Sequence, residues 1–290
     1  MKKQFVKYFI SAGLIVILSG ISNYVLSQNT GGAVKLEYNY PEGKEIRYLS
    51  SGTMAMKMDI QGQTIQNDVT NAFGCTVKSA GKQDNNLKLG IKIDTLGQTT
   101  SSAMGSSGGA IQDLKGKTCN IVIGPDGKIV DISEAGNLVY NVEGSGESNM
   151  TQNLSDFFQV LPVKPVKPGE TWNITDSITV KSPAMTMKTI DTTFNKLEGF
   201  ETVNGVECAK ISSQHSGIMI MSIQNQSADL IIKGPFKGTS ECLFAVKEGY
   251  FIKLTSATTM KGNMEMTSPQ AMTFPIVIEM KGTNEVKDKR

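Results

Sequence analysis

The second half of this chain repeats the first. Leu114-Lys115-Gly116-Lys117-Thr118-Cys119 leads to Gly127 and then Lys128-Ile129-Val130-Asp131-Ile132, while Phe236-Lys237-Gly238-Thr239-Ser240-Glu241-Cys242 leads to Gly249 and then Tyr250-Phe251-Ile252-Lys253-Leu254. Each glycine pair is 11 residues apart (127 − 116 and 249 − 238), and the copies are offset by 238 − 116 = 122. Upstream, Pro41-Glu42-Gly43-Lys44-Glu45-Ile46 is matched by Lys167-Pro168-Gly169-Glu170-Thr171-Trp172 at an offset of 169 − 43 = 126. A drift of 126 − 122 = 4 residues is what small loop changes leave in a diverged duplication. Two copies of one β unit, each with an apolar face it cannot bury alone, pair around a shared core or a shared cavity.

The unit is β because its apolar residues alternate. Val34 to Tyr38, Leu87 to Ile93 and Phe274 to Met280 follow the two-residue period of half-buried strands, with turn residues between them. Pro125-Asp126-Gly127 and its counterpart Lys247-Glu248-Gly249 read as hairpin turns. The expected fold is mainly β: a duplicated antiparallel sheet, curved or half-barrel, with one or two helices against its concave face. The first β half spans 28–147, a helix and proline-rich connector 148–169, and the second β half 170–290, the halves forming one domain.

Between the copies the period changes. Met150, Leu154, Phe157, Phe158 and Leu161 share a helical face, Asn149 and Gln152 are placed as a capping box, and Pro162 stops the run. This predicts an amphipathic helix over Met150 to Leu161, with a second short one over Glu134 to Asn141. Pro162, Pro165 and Pro168 recur at the polyproline period and read as a stiff connector. Thr99 to Ala110, small and glycine-rich, reads as a mobile loop, either a linker or a lid.

Residues 1–27 have the form of a signal peptide. Lys2, Lys3 and Lys7 precede a short apolar run from Ile10 to Leu18, and Val25-Leu26-Ser27 offers small residues for cleavage. That run is shorter than the ~20 residues a spanning helix needs, so the expectation is an exported chain, periplasmic or extracellular, with no membrane span. Without the leader, 290 − 27 = 263 residues remain, with a formal charge of (29 − 3) − 27 = −1. Arg47 and Arg290 are the only arginines, which leaves little to read phosphates or guanine edges and excludes nucleic acid as the expected partner. Cys75, Cys119, Cys208 and Cys242 form an even set in an exported protein. The repeat pairs them as Cys75–Cys119 and Cys208–Cys242, one bridge in each copy.

Catalytic signatures are scarce. His215 is the single histidine, lies in Ser213-Gln214-His215-Ser216-Gly217 with no adjacent nucleophile motif, and reads as a solvated turn residue. No phosphate loop and no cysteine–histidine metal spacing is present, so neither a cofactor nor a metal is expected and the chain reads as non-enzymatic. Asp94-Thr95-Leu96, Asp176-Ser177-Ile178 and Asp191-Thr192-Thr193 fit a short O-glycosylation acceptor pattern of exported bacterial proteins.

Methionine is the chemical oddity. Met54, Met56 and Met58 lie two apart, as do Met185 and Met187, Met219 and Met221, and Met264 and Met266, so each set lines one face of a strand. Three readings stay open: an ordinary core face, a groove for a lipid or other apolar ligand suited to flexible thioethers, and a soft-metal site for Cu(I). In the groove reading Met54, Met56, Met58, Met185, Met187, Met219 and Met221 line the site, and Phe157 and Phe158 plug it.

The central block Phe157-Phe158-Gln159-Val160-Leu161-Pro162-Val163-Lys164-Pro165-Val166-Lys167-Pro168-Gly169-Glu170-Thr171-Trp172 resembles a family of exported bacterial β-proteins of unknown function, in which a phrase of this kind joins two β halves. More loosely, a curved sheet plugged by helices resembles the lipoprotein-carrier superfamily, which implies acyl-chain binding on the concave face. The expected function is an exported non-enzymatic binder or carrier of a lipid or other apolar molecule. The alternative is a structural or interaction module with a closed core.

Overall fold

The computed structural model describes residues 32–60, 62–103, 105–143, 146–182, 185–224, 229–266 and 271–287. The expected leader, 1–27, lies outside them. Twelve strands form one sheet. They are β1 (Glu45–Ile60), β2 (Gln63–Gln83), β3 (Asn86–Ser102), β4 (Gly105–Ala110), β5 (Thr118–Ile123), β6 (Ile129–Asp131), β9 (Thr171–Ser182), β10 (Met185–Val203), β11 (Val206–Gln224), β12 (Asp229–Ala245), β13 (Tyr250–Met266) and β14 (Met272–Val286). A separate hairpin, β7 (Val139–Val142) and β8 (Gly146–Asn149), lies between the halves with two one-turn helices, α1 (Ser133–Gly136) and α2 (Thr151–Leu154).

Each half is a meander of antiparallel neighbours joined by short turns, except that β4 and β5 both pair with β3 and not with each other. The spatial order is β6-β5-β3-β2-β1-β14-β13-β12-β11-β10-β9, with β4 beside the upper part of β3. The halves join where the first strand meets the last, with Met54 opposite Met280 and Gly52 opposite Gly282. The sheet is curved but not closed into a barrel, so β6 and β9 end its strand order and β4 forms a further edge beside β3. Bulges at Gly74/Cys75 and Leu243/Phe244 sharpen its bend. Gly217, Gly234 and Gly262 permit close strand approach: a Cβ at Gly217 would run into the Ile190 carbonyl and the Phe236 ring, and one at Gly234 would lie 2.6 Å from the Lys261 carbonyl.

The lower ends of the strands hold the main core, to which both halves and the connector contribute. Tyr38, Tyr48, Phe73, Phe157, Phe158, Phe244 and Phe251 pack largely edge to face around Ile91, Ile121, Leu154 and Leu161. Both repeated turns close the hairpins expected of them, β5–β6 and β12–β13. Gly127 (φ 84°) and Gly249 (φ 73°) take left-handed conformations, and one N-terminal segment crosses both turns. The Tyr38 N–H donates to the Pro125 carbonyl at 2.8 Å and the Asn39 N–H to the Gly249 carbonyl at 2.9 Å.

Several elements differ from the sequence reading. The helix expected over Met150 to Leu161 stops at Leu154. Beyond it the chain turns so that Phe157, Phe158 and Leu161 all reach the core, and the Leu161 N–H donates to the Asp126 carbonyl instead of to a helical partner. Asn149 does not close a capping box: its Oδ1 accepts from the Thr151 N–H, while the Gln152 side chain accepts from Ser148. The helix expected over Glu134 to Asn141 is one turn, and its second part is β7, where Val139 and Tyr140 suit a strand. Thr99 to Ala110 is the β3–β4 hairpin rather than a loop, its described backbone paired from Gly97–Ala110 to Ser102–Gly105. Val34 to Tyr38 makes one isolated bridge, Val34 to Val166, yet buries Leu36 and Tyr38.

The cysteines are four free, buried thiols, contrary to the expected bridges. Cys75 on β2 and Cys119 on β5 are separated by β3, where they neighbour Ile93 and Ile91 respectively. Two strand spacings are ~9.5 Å, beyond the ~7 Å that a disulfide spans between Cα atoms. Cys208 lies opposite Ala245 and Cys242 opposite Ile211, three positions along the ladder. They also face opposite ways: Cys242 packs in the main core, and Cys208 packs with Leu243 and Ala245 on the other face.

Candidate functional site

Register fixes what the concave face presents. Residues directly opposite in antiparallel strands share a face, so Ser50, Gly52, Met54, Met56 and Met58 of β1 run alongside Asn284, Gly282, Met280, Ile278 and Ile276 of β14. Continuing across the second half, this face takes even positions on β12, β13 and β14 and odd positions on β10 and β11. Three tiers result.

The lowest tier is the aromatic core described above. The uppermost is methionine-rich, and it brings together most of the side chains expected from sequence. Met58, Met219, Met260 and Met264 are buried with Ile232, Phe236, Ile276 and Ile278, and Met54, Met56, Met187, Met221, Met280 and Phe274 pack half-buried against them. Met185 shares the face through its register with Ile223 but is not packed into this cluster. No residue of the connector belongs to it. Phe157 and Phe158 therefore plug the lower core and not the methionine tier, which is where the structure parts the two groups that the sequence reading combined. Met260, Phe236, Ile276 and Ile278, which the reading did not single out as site residues, form the floor of the tier; the alternation through Phe274 to Met280 was the available signal for the two isoleucines.

Between the apolar tiers runs a polar belt. It carries Ser50, Asn71, Asn284, Ser256, Thr258, Ser240, Ser213, His215, Thr193, Asn195 and Asp191, placed on one face by the same register. The Ser213 hydroxyl donates to Asn195 Oδ1 at 2.7 Å. His215 is not a turn residue: it sits in the middle of β11, with its side chain 22% exposed. Its Nε2 lies 2.9 Å from Ser240 Oγ, and its Nδ1 lies 3.1 Å from both Asp191 Oδ2 and Thr193 Oγ1.

Every lysine of β9 to β14 takes the opposite parity and faces the convex side. The belt in this half therefore combines Asp176 and Asp191 with one imidazole and no ammonium group. Asp156, from the connector, faces the same belt. Enclosure by the trough raises its carboxyl above the ordinary range, the nearby Asp191 charge adds to this, and His215 opposes it. Its side chain nevertheless stays open to solvent.

A cavity of about 220 Å³ opens between connector and belt, lined by Asn153, Asp156, Phe157, Ser50, Asn71 and Ser256 among others. Its wall is thin at the Gly52–Gly282 pair, beyond which a shallow depression of about 340 Å³ lies among Thr53, Thr70, Thr255 and Lys281 on the convex side. Among the described residues no group of three or more His, Cys, Asp or Glu is arranged to hold a metal ion, and no helix is long and apolar enough to cross a membrane.

Fold and site together define an open antiparallel β-sheet protein with an amphipathic concave face. The chain matches no known family profile and no curated protein. Similar solved structures include DynF from the dynemicin biosynthesis pathway of Micromonospora chersina (7% identity, 87% of this chain and 92% of that one, TM-score 0.26). OccK2 (OpdF) of Pseudomonas aeruginosa aligns at 6% identity over 86% of this chain and 99% of that one, with a TM-score of 0.25. A DUF1329 family protein from Desulfovibrio piger follows at 11% identity, 81% and 83% coverage and a TM-score of 0.14. TM-scores this low carry no functional argument.

Proposed function

We propose that this protein is an exported binder or carrier of a lipid or other apolar molecule, held along the upper half of its concave face. The observation that carries this reading is the methionine tier, a continuous apolar surface across β1, β14, β13, β12 and β11 that the connector leaves uncovered. Its half-buried rim is mostly thioether, which adapts to ligands of varying shape at little strain, and its buried floor mixes isoleucine and phenylalanine with further methionines. The polar belt at its lower margin offers hydroxyls and amides to a head group while the chain lies upward.

The test is organic extraction of protein purified from its native compartment, followed by mass spectrometry, together with uptake of a fluorescent fatty-acid ester by stripped protein. A bound acyl lipid and saturable uptake are expected, with uptake at least tenfold weaker in a Met56→Gln/Met221→Gln double variant. Empty extracts with no uptake overturn the reading. They would favour the second one, a closed-core interaction module, for which Met260 at 0% exposure and Ile276 and Ile278 at 2% each speak.

A further inference from the structure

We propose that Ser240, His215 and Asp191 form a nucleophile–base–carboxylate relay that hydrolyses a neutral acyl ester whose chain lies on the methionine tier. The three residues stand on adjacent strands, β12, β11 and β10, and point to the same face. Their separations, 2.9 Å from Ser240 Oγ to His215 Nε2 and 3.1 Å from His215 Nδ1 to Asp191 Oδ2, are those of a nucleophile bonded to its base and a base bonded to its orienting group.

The hydrogen-bond pattern fixes the imidazole in the required tautomer. Thr193 donates its hydroxyl hydrogen to Asp191 Oδ2 at 2.9 Å, so the oxygens it and Asp191 present to Nδ1 are both acceptors. A neutral ring must then carry its hydrogen on Nδ1, which leaves the Nε2 lone pair to receive the Ser240 proton. The site is also reachable: Ser240 is half-buried, and its register partner Ser256 lines the 220 Å³ cavity.

The step balances with water alone. Ser240 Oγ bonds to the ester carbonyl carbon as its proton passes to His215 Nε2, and the Ser256 hydroxyl stands beside the developing oxyanion as a donor. The carbonyl carbon–alkoxide bond breaks, and the alkoxide takes the proton from Nε2. Water then adds to the acyl-serine, giving its proton to Nε2, and collapse returns that proton to Ser240 and releases the carboxylic acid.

Charge and placement define the substrate. Asp156, Asp176 and Asp191 face the belt without a lysine, so a neutral ester enters more readily than a carboxylate, and the anionic product is repelled. Met219 and Met221 stand four and six residues above His215 on the same face of β11, ~13 and ~20 Å along the strand. An acyl chain of about ten carbons reaches the level of Met219 and one of about sixteen that of Met221, and the cavity beside Ser256 takes the alcohol. This chain assignment rests on the binding reading above; the relay itself does not.

The experiment is labelling of the full chain with an alkyl fluorophosphonate and peptide mapping of the adduct, alongside hydrolysis of p-nitrophenyl acetate and p-nitrophenyl decanoate. An adduct on Ser240 is expected, absent in Ser240→Ala and His215→Gln, with ester hydrolysis falling about 100-fold or more in each. Asp191→Asn keeps the shape but favours the wrong tautomer, so it should lose rate at unchanged KM. Met219→Gln should slow the decanoate and spare the acetate. No adduct on folded wild-type protein, an adduct elsewhere, or undiminished hydrolysis by Ser240→Ala overturns the relay. An intact Ser240 adduct with no preference for the longer ester leaves the relay standing and refutes the methionine tier as the chain site.

Discussion

Replacing Phe157 with alanine tests whether the connector is a fixed part of the core. The ring is 3% exposed and meets Tyr48, Phe73, Phe158 and Phe251 with centroids 5.3, 6.2, 5.0 and 5.7 Å away, all steeply inclined. A buried Phe to Ala change costs ~3–5 kcal/mol, and aromatic pairs add ~0.5–1.5 kcal/mol each beyond their area. Against this, the vacated space joins the 220 Å³ cavity that Phe157 already lines, so water can enter and relieve part of the void. The net expectation is about 4 kcal/mol. For a chain of this size that lowers Tm by ~8–16 °C, and with a urea m value of ~3 kcal/mol/M it moves the midpoint by ~1.3 M. Trp172, the single tryptophan, packs partly buried against this core and reports the transition by fluorescence. A loss below 1 kcal/mol at unchanged m would refute the assignment and show that residues 155–161 undock freely.

Three further outcomes follow from features already described. Denatured protein should titrate as four thiols and native protein as none, because burial pushes Cys119 up to about 11 and Cys208 up to about 12 and raises Cys75 and Cys242 further; a thiol count of zero after denaturation without reductant would contradict the free-cysteine geometry. Asp156 has a raised carboxyl pKa in the fold, so its ionised form opposes folding above the unfolded value of ~3.9. Asp156→Asn should therefore raise Tm at pH 7, with the gain shrinking toward pH 4, and a variant less stable at pH 7 in differential scanning fluorimetry would reverse that sign. Gly127→Ala places a Cβ at 2.4–2.7 Å positions claimed by Tyr38 and the Gln159 carbonyl, on a left-handed residue, and should cost at least ~2 kcal/mol in urea unfolding.

The strands were readable because their period is short and local. Leu87 to Ile93 and Phe274 to Met280 fall on β3 and β14, and the repeated turns at Gly127 and Gly249 lie where the duplication puts them. The connector was misread because apolar residues at helical spacing are also what an irregular segment needs to fill a core from several directions, as Phe157, Phe158 and Leu161 do. The shared face of Met54, Met187 and Met221 was legible as a set of stripes, but which strands adjoin was not. The polar belt lay further out of reach. Asp191, His215 and Ser240 are 24 and 25 residues apart, and only the registers of β10 with β11 and β11 with β12 bring them together. The repeat offered no help either, since at its offset of 122 His215 and Ser240 correspond to Ile93 and Thr118.

The seam between first and last strands sets the order in which this molecule can assemble. Met54 and Met280 face each other across 280 − 54 = 226 residues of chain, so β1 has only β2 for a neighbour until β14 has been made. Closing so long a loop delays the central pairing, and Tyr48 cannot meet Phe251 until the second meander is present. A nascent chain is thereby held short of its native state until β14 arrives.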